Sequence, residues 1–161
     1  MKTDLTDMER ITNKKKVVLT LCKLFPVTHA QAGKPTDFER KVKSGTKIHT
    51  IRWGYDLWVK RYSDINAGTK YLSVKEWVGR PYHSEHREYA QIEKIGLQRI
   101  KLIKTEDDVI PQVFIDGKRV SAQEVALNDG LSVEDFTDWF FGCLKTDVFE
   151  GVVIHFTDFR Y

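Results

Sequence analysis

The stretch "EYAQIEKIGLQRIKLIKTEDDVIPQVFIDGKRV" (residues 88–120) decides the fold class. It holds three strand-like runs in succession, 88–95, 98–104 and 111–120, with β-branched and aromatic residues in alternation and no helical period between them. Asp116-Gly117 inside the third run is a hairpin turn signal. Consecutive strands joined by short connections make antiparallel pairs, because a parallel pair needs a long crossover.

Upstream, "KYLSVKEWV" (70–78) alternates as a further strand, and "GRPYHSEH" (79–86) reads as a polar loop. "YDLWVKRYSDINAG" (55–68) carries Leu57, Trp58, Tyr62 and Ile65 at helical spacing. "TDFERKVKSG" (36–45) reads as a short helix, with Thr36 as N-cap, Glu39 three residues on, and Gly45 as a left-handed stop. "KKVVLTLCKLF" (15–25) reads as a largely buried first strand ended by Pro26. Downstream, "SAQEVALNDG" (121–130) is a helical turn or two. "SVEDFTDWFFGCL" (132–144) is a helix capped by Ser132, with Val133, Phe136, Trp139 and Phe140 on one face, and "FEGVVIHFTDF" (149–159) is a last strand. The order strand, helices, several strands, helices, strand is not a βαβα alternation. It argues for an α+β fold whose mostly antiparallel sheet is closed and flanked by short helices.

The chain has 161 residues, the size of one domain, and is 41% hydrophobic and 30% charged, as globular proteins are. Residues 1–13 read as a frayed, flexible arm and 14–161 as a single domain. No run approaches the roughly 18 apolar residues of a membrane span, so no membrane partner is expected. Cys22 and Cys143 are the only cysteines and neither sits in a CxxC pair. That points away from a disulfide framework and makes a reducing cytoplasm the expected location. The net charge is +3, unevenly spread. Arg40, Lys41, Lys43, Lys47, Arg52, Lys60 and Arg61 face one acid, Asp56, whereas residues 106–150 hold eleven acids against Lys118, Arg119 and Lys145. The first of these segments is read as a basic face for phosphate or another anion, the alternative being two solvated surfaces that neutralise each other.

Within the basic segment, "SGTKIHTIR" (44–52) reads G-x-K-x-x-T-x-R through Gly45, Lys47, Thr50 and Arg52. This order after a short helix resembles the signature of the ASCH family, which has a PUA-like β-barrel fold. "ALNDGLSVEDFTDWF" (126–140) resembles that family's acidic-Gly segment and Ser-capped aromatic helix, and "VFEGVVIHF" (148–156) its last barrel strand. These elements keep the family's order across residues 17–157. "VKEWVGRPYHSEH" (74–86) is similar to versions in phage-related and Bacteroidetes members. The resemblance implies RNA binding, by kinship to PUA domains. It also implies, through one small bacterial branch, hydrolysis of N4-acetylcytidine and related acylated nucleobases by a Lys/Thr/Glu set. Lys47 and Thr50 match the first two positions. Asp129 stands at the third, one methylene short of glutamate, and a misplacement of about 1 Å can cost about 100-fold in rate.

The chemistry makes its own demands. Threonine is a nucleophile only when a base takes its proton, and lysine serves as that base only when burial or nearby positive charge lowers its pKa. Arg52 is the candidate source of that charge. Lys47 and Thr50, three apart, point to opposite faces of an ideal strand, so their convergence needs a turn after Gly45. Asp129, followed by Gly130, is placed on a bend from which it would orient Lys47 or move a proton at the leaving group. The plainer alternative leaves Lys47 as a surface cation, Thr50 as a β-former, and Arg52 as an ion-pair partner of Asp129 or Asp56.

Two functions therefore stand as expectations. One is a binding module for RNA or a nucleotide derivative, with a basic cleft at a barrel mouth. The other is a small amidohydrolase using Lys47, Thr50 and Asp129. Gly45, Arg52, Trp53, Arg80 and Tyr82 are the candidate ligand contacts. Trp53 would stack on a base or fill the core, while Trp58, Trp77 and Trp139 read as core. His83 and His86 form H-x-x-H in a loop rather than on a helix, so no metal and no cofactor are expected. His49 is a second acid–base candidate, and Cys143 reads as buried and inert.

Overall fold

The computed structural model describes residues 14–143 and 146–161, and the arm expected over 1–13 lies outside them. The elements run β1 (Lys15–Thr20), α1 (Phe38–Ser44), β2 (His49–Arg52), α2 (Tyr55–Asn66), β3 (Lys70–Trp77), β4 (His86–Ile92), β5 (Gly96–Ile103), β6 (Gln112–Ile115), β7 (Lys118–Val120), α3 (Ala122–Asn128), α4 (Val133–Phe141) and β8 (Val148–His155). The fold is α+β and mostly antiparallel: among the described strands, only β1 and β3 pair in parallel.

The strands form two sheets, ordered β1-β3-β4 and β2-β8-β5-β6-β7, so the single closed sheet expected from the strand order is not formed among the described residues. The chain leaves β1 at Leu21 for a loop pinned by the Leu24–Pro35 bridge, which ends the ladder on that side. Where β1 and β2 come near each other, a side chain takes the ladder's place: Arg52 Nη2 donates to Thr20 O at 2.8 Å. Burial along β1 alternates, with Val17 and Leu19 in and Val18 out, so this strand covers the core with one face only.

Local chemistry explains most of the boundaries. Asp116 and Gly117 both take positive φ, 49° and 78°, as a two-residue turn between right-twisted strands requires. Ser121 and Ser132 cap α3 and α4 by accepting from Glu124 N and Asp135 N. Thr36 is no cap for α1. Its hydroxyl donates to Cys22 O and Lys23 O, at 2.6 and 3.1 Å, and accepts only a long bond, 3.4 Å, from Phe38 N at the start of α1, while Asp37 occupies the N-cap position at φ 59° with no side-chain cap bond.

The core is one cluster. The α2 helix packs on β3, β5 and β8, and α4 reaches β8 through Phe140 and Phe149, whose ring centroids are 4.8 Å apart. Cross-strand register sorts the larger sheet into two faces. Ile100, Leu102, Val113, Ile115 and Phe149 are buried on one; Arg99, Lys101, Phe114, Arg119 and Glu150 share the other. Of the tryptophans read as core, only Trp58 is fully buried; Trp77 and Trp139 are half-buried. Cys143, expected inside, is exposed just beyond the end of α4. No described helix is long and apolar enough to cross a membrane.

Phe136 is wholly buried in α4. Replacing it with alanine is expected to cost about 3–5 kcal/mol in urea-induced unfolding; a loss under about 1 kcal/mol would mean that α4 does not close the core.

Candidate functional site

Gly45 ends α1 at φ 78°, a conformation that suits glycine, and its N–H reaches the Lys41 and Val42 carbonyls. The chain then doubles back, with Thr46 N and Lys47 N both donating to Lys41 O at 2.9 Å. The next step docks on α3, where Ile48 N donates to Asn128 O at 2.9 Å. Only at His49 does β2 begin. Lys47 thus lies in the turn, free of strand alternation, while Thr50 lies in the strand. Both line one cavity of about 160 Å³, together with Arg52 and Asp129 and with apolar walls that include Leu21, Phe38, Leu131 and Phe140. The turn demanded by the spacing of Lys47 and Thr50 is present.

Asp129 comes from the C-terminal end of α3, three residues before Ser132, the cap of α4. Lys47 Nζ donates to its carboxylate Oδ1 at 3.0 Å and to its backbone carbonyl at 2.6 Å, and lies 4.4 Å from the centre of the Phe38 ring. Lys47 is 2% exposed and Asp129 5%. Gly130 makes this approach feasible. Its φ is +83°, and a Cβ there would sit 3.2 and 3.3 Å from Cβ and Cδ of Lys47. The neighbouring Lys41 ammonium donates to Gly130 O at 2.7 Å.

Burial pushes the Lys47 amine below the ordinary lysine range, with Asp129 working against that shift. Burial also pushes the Asp129 carboxyl up, but the charge of Lys47 and the facing His49 outweigh it and hold the group below its ordinary value. Arg52 is spent on Thr50 Oγ1 at 3.1 Å and on the carbonyls of Ile51 and Thr20. It forms no ion pair with Asp129 or Asp56. The site therefore sets Lys47, Arg52 and the nearby Lys41 against a single carboxylate.

Beneath the carboxylate lies a chain that sequence reasoning saw only in part. Asn128 Nδ2 donates to the Tyr161 hydroxyl at 3.0 Å, and that hydroxyl lies 2.6 Å from His49 Nε2. The carboxylate that faces the other ring nitrogen favours a proton on that side, which leaves Nε2 to accept from the hydroxyl. The imidazole proton then sits on Nδ1, 3.4 Å from Asp129 Oδ1. His49 was legible as an acid–base candidate inside the motif. Tyr161 carried no signal, since its contact spans more than a hundred residues. Lys41 had one faint signal, its place in the last turn of α1.

The other sequence candidates lie apart from the cavity. Gly45 shapes the turn without lining it. Trp53, 60% exposed, rests its ring 4.3 Å from Phe149. Arg80 and Tyr82 sit in the loop before β4, where Tyr82 is 85% exposed beside Trp77. His86 opens β4, stacked on Trp77 and 3.0 Å from Thr20 Oγ1. The basic segment does not form one outward face: Lys41, Lys47 and Arg52 turn inward, and Lys43 pairs with Glu39 at 2.7 Å.

Because the folded Asp129 titrates below its ordinary 3.8, its contribution to stability is complete above about pH 4 and is lost as pH falls through the lower folded value. Asp129→Asn should remove that part of the acid limb when urea unfolding is followed from neutral pH downwards; identical acid slopes in both proteins would mean that the carboxylate is not ionised against Lys47. No family model matches the chain, and neither the curated proteins nor the solved structures include a match to it.

Proposed function

We propose that the chain is a divergent ASCH-type domain, its two sheets the halves of a PUA-like barrel, and that its cavity binds the base of a nucleoside or nucleotide derivative. The observation that carries this reading is the meeting of Lys47, Thr50, Arg52 and Asp129 on one hollow of about 160 Å³. That is the scale of a cavity that holds a single six-membered ring, about 150 Å³, and below the roughly 300 Å³ at which sites for larger ligands begin. A base enters; ribose and phosphate remain outside. Apolar walls suit the ring faces. The cations supply donors for ring carbonyls, Asp129 an acceptor for an N–H, and Thr50 either role. RNA would present such a base only from a single-stranded segment.

A second reading, amide hydrolysis, is favoured by the hydrogen bond from Arg52 to Thr50 Oγ1, which stabilises developing alkoxide charge. Thr50 Oγ1 would attack the acyl carbon while its proton passes to Lys47 Nζ, once the ammonium has given up a proton to solvent, a loss that burial favours. Collapse of the tetrahedral intermediate breaks the C–N bond, and the proton leaves Lys47 for the departing amino group. Water then hydrolyses the threonyl ester, with Lys47 again taking and returning the proton. Asp129 positions Lys47 throughout, its shorter side chain compensated by the approach that Gly130 allows.

Calorimetric titration with cytidine and N4-acetylcytidine, alongside assay of acetate release, separates the readings. Lys47→Met is expected to weaken binding at least about tenfold, and the near-isosteric Thr50→Val to lower acetate release at least about 100-fold while weakening binding by no more than about tenfold, the worth of one hydrogen bond. Binding without release, across a panel of acylated nucleosides, leaves the binder and removes the hydrolase. No binding of any nucleoside removes both.

A further inference from the structure

The cavity does not account for a second concave surface, on the exposed face of the larger sheet. Arg99 and Lys101 on β5, Phe114 on β6, Arg119 on β7 and Glu150 on β8 share this face by register: Lys101 pairs with both Phe114 and Glu150, and Phe114 with Arg119. All but Arg119 line a hollow of about 440 Å³, and Arg119 flanks it beside Phe114. Arg99, Lys101 and Arg119 are exposed and Phe114 half-buried. The opposite face of these strands is core.

We propose that this face binds single-stranded nucleic acid, at a site separate from the cavity and independent of its function. Three features support the occupant. The charge is cationic, three basic side chains against Glu150, and the Lys101–Glu150 pair at 3.4 Å is an exposed one that yields readily to a phosphate. Flat surfaces are supplied twice. Phe114 lies between Lys101 and Arg119 on the neighbouring strands, and the exposed Arg99 has its guanidinium carbon 3.7 Å from the centre of the Tyr55 ring, a cation–aromatic pair on which a base can stack. Asp116, the nearest other acid, is engaged by Arg99 N and Gln98 Nε2. The flat groups favour a nucleic acid over an acidic peptide, the other polyanion such a face would attract, because a peptide carboxylate has no ring to stack on them; Glu150 is in addition an acceptor for the exocyclic amine of a base. Aromatic and cationic residues spread over an open sheet are how single strands are held: bases stack on the flat groups and phosphates track the cations. β5 and β7 are two strand spacings apart, about 10 Å, so the face takes a run of nucleotides rather than one. Counting charge along the chain hides part of this face, because Arg119 lies within the acidic residues 106–150 and meets Arg99 and Lys101 only across the ladder.

Fluorescence anisotropy with a short, labelled, mixed-sequence single-stranded RNA tests the proposal. Three phosphate contacts give an expected slope of log affinity against log salt near about −2. Lys101→Glu with Arg119→Glu should weaken binding at least about tenfold, leave nucleoside binding in the cavity unchanged, and keep the circular dichroism of the parent. Lys34→Glu, a charge reversal in the loop before α1, should change RNA affinity less than about twofold. The proposal is overturned if the sheet-face variant binds RNA as the parent does, or if Lys34→Glu weakens binding equally. Equal competition by duplex RNA or by polyglutamate also overturns it, since neither offers unstacked bases. Loss of RNA binding in Lys47→Met alone would move the RNA to the cavity and likewise overturn it.

Discussion

A lysine and an aspartate removed from water together set the terms for the rest of this molecule. Taking two charges into the interior costs several kcal/mol per ion after relaxation, and the mutual attraction offsets that only with good geometry and further hydrogen bonds. Lys47 meets the requirement twice on Asp129, at the carboxylate and at the backbone carbonyl, and rests over the Phe38 ring. Asp129 has His49 as its second neighbour. The pair joins the turn between α1 and β2 to the end of α3, with 82 residues separating the two partners in sequence. Gly130 closes the last few tenths of an ångström.

That junction leaves a hollow whose wall is charged at one edge and apolar elsewhere. Buried charges have few common uses: register, switching or chemistry. The motif residues are divided accordingly. Lys47 sits in the turn and Thr50 in the strand, so a short segment directs two polar side chains into one space that a continuous strand would keep apart. Arg52 performs a structural and an electrostatic task together, linking β1 to β2 through Thr20 O while donating to Thr50. The His49–Tyr161–Asn128 chain beneath fixes the far side of the carboxylate.

Much of this was legible in the sequence because local chemistry set it. The Asp116-Gly117 turn, the serine caps, the stop at Gly45 and the run of antiparallel strands all follow from short-range rules. The meeting of Lys47, Thr50 and Asp129 in one cavity needed the turn after Gly45 and the bend at Gly130, both of them local glycine signals. What was not legible depends on partners far along the chain. Thr36 looked like a cap and was claimed by carbonyls of the preceding loop. The basic segment looked like a surface, yet three of its cations found acceptors inside. Sheet closure could not be read from strand order, because it hinges on whether the ends of β1 and β2 share a ladder or a single arginine. Tyr161 joined the site through tertiary packing alone.

The most direct test is a double-mutant cycle on the buried pair, with Lys47→Met, Asp129→Asn and the two combined, read as unfolding free energy in urea at neutral pH. Each single change should cost about 3–5 kcal/mol because it strands the other charge, and the double change should cost little more than either, a coupling of about 2 kcal/mol or larger. Additive losses, with a coupling under about 0.5 kcal/mol, would contradict the claim that these two side chains hold the site together.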